Sequence, residues 1–195
     1  MLTGNADGRL PVILAIVALL SACTSPLSPS VAATAAPKNQ TGLTELDAII
    51  AAALAGDVRD LRQLFAYTQT MCTFAEGLSG PPKCRPDDEE GSPVEVLPFL
   101  GPEGHFIRKA DMDSWTGLEV SGLFAAYQVL DSAYSDQDYP AGEYALVFAG
   151  SPEAPTSITL QVRHGRIVRI DFGSDDPPVI RPEDVAKYLV PPRQD

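Results

Sequence analysis

The sequence predicts an α+β domain, an N-terminal helical hairpin packed on a curved antiparallel sheet of about four to six strands. Three observations carry this prediction. Apolar residues recur at helical spacing over residues 46–65, and from Leu123 onward the hydrophobic period changes to two. His164-Gly165 then separates two alternating runs by the two residues that a tight hairpin needs, with Gly165 able to take a positive φ.

Thr44-Glu45-Leu46-Asp47 has the form of a capping box, a hydroxyl followed three residues later by a carboxylate. Leu46, Ile49, Ile50, Ala53 and Leu54 follow at the spacing of one helix face. Gly56 stops this helix and Asp57 can cap a second, whose stripe is Val58, Leu61, Leu64 and Phe65. Residues 77–93, rich in Pro, Gly and acid, read as a loop. A strand is expected over Val94–Leu100 despite Pro98, and a short polar helical turn over Ala110–Gly117. Four alternating runs, Phe124–Leu130, Tyr144–Ala149, Ile158–Arg163 and Arg166–Phe172, read as strands with one strongly apolar face and one mixed face. Pro182–Leu189 is expected to form a short closing helix, ended by Pro191-Pro192.

Two stretches of this pattern, AIIAAALAGDVRDLRQLF over residues 48–65 and TLQVRHGRIVRIDF over 159–172, resemble the nuclear-transport-factor-like cone fold shared with ketosteroid isomerases and polyketide cyclases. The first has that family's helix, Gly-Asp break and second helix ending in Leu-Phe; the second has its closing hairpin. A cystatin-like arrangement, one helix on a meander, is the alternative architecture. Isomerases of the cone fold place an acidic base and a tyrosine in an apolar cavity, and this resemblance brings Tyr127, Tyr144, Asp113 and Asp131 forward as candidates. Their spacing does not show that they converge.

The N-terminus says where the protein resides. Leu10–Leu20 is an uncharged run of eleven residues, too short for a hydrocarbon core of about 30 Å and suited to a cleavable export signal. It ends in Leu20-Ser21-Ala22-Cys23, which resembles the lipobox of bacterial lipoproteins. The resemblance implies cleavage before Cys23, a diacylglycerol thioether on its sulfur and a palmitate-type acyl anchor. The preceding nine residues hold one cation, Arg9, offset by Asp7, where two or three positive residues are usual. Residues 24–42, with three Pro, four Ala and one charge, cannot bury enough apolar surface to order themselves and read as a tether spanning roughly 25 Å. The domain plan is therefore a signal over residues 1–22, a lipidated Cys23 with tether to 42, and one globular body over 43–195.

Composition narrows the function. At 195 residues with 45% apolar and 21% charged side chains, the chain can build a packed core. Its net charge of -12 excludes a nucleic-acid backbone as partner, because phosphate binding needs basic surface. Cys72 and Cys84 form an even pair in an exported protein, so a disulfide is expected between them. Metal binding through His105 lacks both ligand spacing and a fourth ligand, and no phosphate loop, nucleophile elbow or zincin motif is present, so neither metal nor cofactor is expected. His105 and His164 read as exposed turn residues, and Asp87-Asp88-Glu89-Glu90 as a solvated loop. The expected function is that of a membrane-tethered extracytoplasmic lipoprotein with a non-catalytic binding body. Its partners would be the membrane through its lipid and a small apolar ligand or an envelope protein. The alternative is a small cone-fold enzyme, isomerase- or cyclase-like, acting on an apolar substrate.

Overall fold

The structure, a computed structural model, describes residues 39–193 except 78–79, 102–103 and 152–153. The export signal, Cys23 and the tether to residue 38 lie outside the described residues. Helix α1 spans Thr44–Ala55 and buries Leu46, Ile49, Ile50 and Ala53 on one face. Gly56 closes it in the left-handed region (φ 65°), and its N–H bonds back into the last turn. Asp57 then caps α2, Val58–Gln63, by accepting from the Asp60 N–H at 3.1 Å. The two helices of the hairpin are therefore present, although α2 is six residues long. The capping box is not formed as expected. Leu43 occupies the N-cap and Thr44 is already helical. The Asp47 carboxylate instead accepts from the Thr41 N–H at 2.7 Å and hydroxyl at 2.8 Å, which ties down the chain ahead of the helix.

Eight strands follow: β1 Thr68–Met71, β2 Pro93–Leu100, β3 His105–Arg108, β4 Val120–Val129, β5 Tyr144–Ser151, β6 Ala154–Arg163, β7 Arg166–Gly173 and β8 Val185–Val190. Their order in one sheet is β1-β2-β7-β6-β5-β4-β8, with β3 on the other edge of β2. The five expected strands are all present. The expectation of four to six strands in an antiparallel sheet is corrected twice. The sheet has eight, and it is mixed, because β2 and β7 run parallel through Phe99↔Ile170 and Leu100↔Asp171. That pairing begins only past Pro98, which has no N–H to offer a neighbour. Strands β1 and β3 are four residues each, too short for alternation to mark them in the sequence. The closing helix is also corrected. Pro182–Asp184 forms a 3₁₀ turn and Val185–Val190 a strand that pairs with β4. Its residues, VAKYLV, are mostly good strand formers, and the open edge of β4 decides the matter.

Two bulges sort side chains between the sheet faces. In β4 the register passes from Leu123↔Phe148 to Ala125↔Val147, leaving Phe124 as the extra residue. Leu123 and Ala126 thus join the helix-side core, while Phe124, Ala125 and Tyr127 join a second cluster with Ala145 and Val147. In β7 the register jumps between Gln161↔Arg169 and Val162↔Ile167, so Ile167 and Ile170 both face the helix-side core despite their odd spacing. That core holds Leu146 and Phe148 with Leu46, Ile50 and Leu61, and the half-buried Tyr144 packs against it. Side chains fill the space between helices and sheet.

The β6–β7 turn is as expected, with His164 at φ 51° and Gly165 at φ 68°. Cys72 and Cys84 are joined by a disulfide at 2.06 Å. The acidic loop beside it is more ordered than a solvated loop. Asp88 accepts from Arg108 at 2.6 Å and from the Arg85 N–H at 2.7 Å. Glu90 accepts from the Phe74 N–H at 2.6 Å and the Thr73 hydroxyl at 2.8 Å. The Arg108 hydrogen bond holds the Asp88 carboxyl below its ordinary value, and the Phe74 N–H does the same for Glu90. Carboxyls with depressed folded values stabilise the protein at pH above their unfolded values, and that contribution is lost as pH falls through the folded ones. Unfolding free energy is therefore expected to fall with acidification below about pH 4.5, the unfolded range of these carboxyls. Glu90→Gln should make this decline shallower in urea titrations between pH 6 and pH 3; an unchanged slope would refute the assignment.

Candidate functional site

The sheet face away from the helices carries a cleft of about 440 Å³. Strand pairing builds its floor. The β6–β7 register sets Ser157 opposite Gly173, Thr159 opposite Asp171 and Gln161 opposite Arg169, so two polar pairs and a serine share one face. Neighbouring strands β4 and β5 supply Tyr127, Val129 and Val147. The walls are the chain following β4, with Ala133 and Tyr134, and the chain following β7, with Val179 and Ile180. One half of the floor is polar and the other apolar.

Arg169 organises the polar half. It is 3% exposed. Its Nε donates to Asp171 Oδ1 at 2.6 Å and its Nη2 to Oδ2 at 3.0 Å, a bidentate fork. Its Nη1 donates to the carbonyls of Tyr134 at 3.2 Å and Tyr139 at 2.7 Å, fastening one wall to the floor. Gln161 donates from Nε2 to Asp171 Oδ2 at 3.0 Å and accepts from the Gly142 N–H at 3.1 Å. Burial pushes the Asp171 carboxyl up from its ordinary value, and the Arg169 charge and these hydrogen bonds oppose the rise. Tyr127 is pushed up to about 12, first by burial and then by Asp184 and Asp171, so its phenol is neutral and a donor at pH 7. The Tyr134 hydroxyl donates to Asp136 outside the cleft.

Three hydroxyls in the cleft, those of Ser157, Thr159 and Tyr127, make no hydrogen bond to the described residues. Two of these side chains belong to residues almost fully covered, Ser157 at 8% exposure and Tyr127 at 6%. The carboxylate and guanidinium are committed to each other, and the hydroxyls are the groups left to meet a ligand.

The residues brought forward by the cone-fold resemblance are not assembled. Tyr127 lies on the cleft face and Tyr144 packs against the helix-side core. Asp113 is exposed and pairs with Arg62 at 3.3 Å, and Asp131 is exposed. His164 is exposed as expected. His105 is exposed as expected but not in a turn: it opens β3 and its ring stacks on Phe99 at 4.8 Å, where partial desolvation lowers its pKa. No cluster of three or more metal-ligating side chains occurs among the described residues. No helix among them is long and apolar enough to cross a membrane.

A wider groove of about 980 Å³ runs between the Cys84 loop, β3 and Trp115. Its cations are engaged within the protein: Arg85 with Asp111, Arg108 with Asp88, and Lys83 with the Ala75 carbonyl at 2.7 Å. Its cations are therefore occupied, and the smaller cleft, whose floor holds a buried ion pair beside unengaged hydroxyls, is the better site.

Gln161, Arg169 and Asp171 were missed by motif reading because no catalytic motif contains them. The available signal was positional: RIVRIDF places Arg169 and Asp171 two residues apart, and TLQ does the same for Thr159 and Gln161, which on strands puts each pair on one face. The chain matches no family model, no curated protein and no solved structure.

Proposed function

We propose that this chain is an exported lipoprotein, anchored through Cys23 to the extracytoplasmic side of a bacterial membrane, whose body is a non-catalytic binding domain with its ligand site in the second-face cleft. Anchorage rests on the apolar run ending in Leu20-Ser21-Ala22-Cys23. One acyl chain holds a protein only marginally, and the two or three chains of the lipoprotein class anchor it stably.

One observation carries the binding reading. The cleft's buried carboxylate is occupied by Arg169 and Gln161, and its tyrosine is neutral far above physiological pH. Groups held this way recognise a molecule by shape and hydrogen bonding, and the carboxylate on the cleft floor is not free to take a proton as a general base. The helix-side space, where a cone-fold isomerase would keep its cavity, is occupied by Leu146, Phe148 and the apolar face of α1.

The anchorage is tested by Cys23→Ser followed by cell fractionation. The expected result is protein released from the membrane fraction or left unprocessed. A Cys23→Ser chain that is still cleaved and membrane-bound would refute lipidation at this residue.

A further inference from the structure

Resting on the reading of the second-face cleft as a ligand site, we infer that it takes a neutral amphipathic molecule, with an apolar body and a head of hydroxyl or carbonyl oxygens. The apolar half of the floor, with Val129 and Val147, and Ile180 in the wall can cover a hydrocarbon body. Ser157, Thr159 and Tyr127 can exchange hydrogen bonds with the head. These hydroxyls are not engaged by the described residues and open onto the cleft, so a molecule seated there can take their hydrogen bonds in place of water. Gly173 keeps the space open, because a Cβ there would stand 2.2 Å from the Ser157 hydroxyl oxygen. No positive φ is recorded at Gly173, so room and not backbone conformation is what the missing side chain provides.

Charge selects the head. Around the cleft stand three carboxylates, Asp171, Asp175 and Asp184, against two guanidiniums, Arg169 and Arg181. Arg169 is spent on Asp171 and on two carbonyls. An anionic head would enter a negative field in a chain whose net charge is already -12.

The test uses three probes with one rigid apolar body: 4-tert-butylcyclohexanol and the carboxylate and ammonium compounds in which that group replaces the hydroxyl. Each is titrated calorimetrically against the full chain in phosphatidylcholine nanodiscs, with empty nanodiscs as the blank. Saturable one-to-one binding of the alcohol is expected, at least about tenfold tighter than the carboxylate, as expected for an anion meeting an uncompensated like charge. Tyr127→Phe and Thr159→Val, each nearly isosteric, should each weaken the alcohol roughly fivefold, the worth of one hydrogen bond. Gly173→Ala, which displaces the Ser157 hydroxyl without touching the core, should weaken it to a similar extent. Circular dichroism of each variant reports that the fold is kept, and Ser157→Ala replaces any variant that loses it. Alcohol binding weakened by the cleft variants but equalled by the carboxylate or the ammonium compound overturns the ligand class and leaves the cleft a binding site, whereas alcohol binding unchanged by every cleft variant overturns both this inference and the reading of the cleft. No saturable binding of any probe overturns both this inference and the reading of the cleft.

Discussion

Arg169→Met is expected to lower the unfolding free energy by about 3–5 kcal/mol, the range for removing one partner of a buried ion pair. The guanidinium is nearly fully covered, with its side chain 4% exposed against 21% for Asp171. Its removal leaves the Asp171 carboxylate facing Gln161 alone, strips the Tyr134 carbonyl of its donor and leaves that of Tyr139 with the Asp136 N–H only. Most of the loss is therefore the penalty of an uncompensated charge. Two consequences separate this from a mere packing defect. First, Arg169→Met with Asp171→Leu should be more stable than Arg169→Met alone, because the orphaned charge is gone. Second, the defect should shrink in acid. Without Arg169, burial raises the Asp171 carboxyl further, and a folded pKa above the unfolded one gives stability at low pH that is lost as pH rises through the folded value. Urea unfolding of parent, single and double variants at pH 7 and pH 4.5 measures all of this. A loss below about 1 kcal/mol at pH 7 would mean that Asp171 is screened by solvent like a surface pair. Faster hydrogen exchange over residues 134–141 in the single variant would report the unfastened wall.

The second large effect belongs to the Cys72–Cys84 disulfide. Replacing both cysteines by Ala is expected to cost about 3 kcal/mol, the chain-entropy value for a loop of this size. The two half-cystines are 12 residues apart. The loop they close also carries Thr73 and Lys83 paired as a bridge, with Cys84 N–H bonded to the Thr73 carbonyl and Thr73 N–H to that of Pro82, both at 2.9 Å. Opening the loop should therefore loosen the rim of the wide groove while the second-face cleft, on other strands, keeps its shape. Differential scanning calorimetry of the double variant, together with hydrogen exchange resolved by segment, checks both halves. A double variant as stable as the parent would show that the loop's own hydrogen bonds suffice. Alkylation of either cysteine in unreduced protein from its own cell envelope would contradict the pairing itself.

Local chemistry was legible in the sequence wherever it acts over a few residues. The α1 stripe, the Gly56-Asp57 break, the His164-Gly165 turn and four alternating runs are all short-range patterns, and each corresponds to an observed element. The disulfide was legible too, because the N-terminal run reads as an export signal and leaves Cys72 and Cys84 as an even pair to be joined. The anchor proposed at Cys23 likewise rests on sequence alone.

What required the tertiary structure was everything set by pairing between distant segments. VAKYLV is a strand because β4 has an open edge to receive it. The β2–β7 parallel contact makes the sheet mixed, and no local period announces a partner some 70 residues away in sequence. The cleft arises the same way. Arg169 and Asp171 are an ordinary strand doublet until the β6–β7 register sets Gln161 and Thr159 across from them and the chain after β4 brings two carbonyls to the guanidinium. Periodicity assigns residues to one face of a strand or the other. Only long-range register decides which neighbours from other segments secure the Arg169–Asp171 pair, and therefore which hydroxyls on that face are left unengaged.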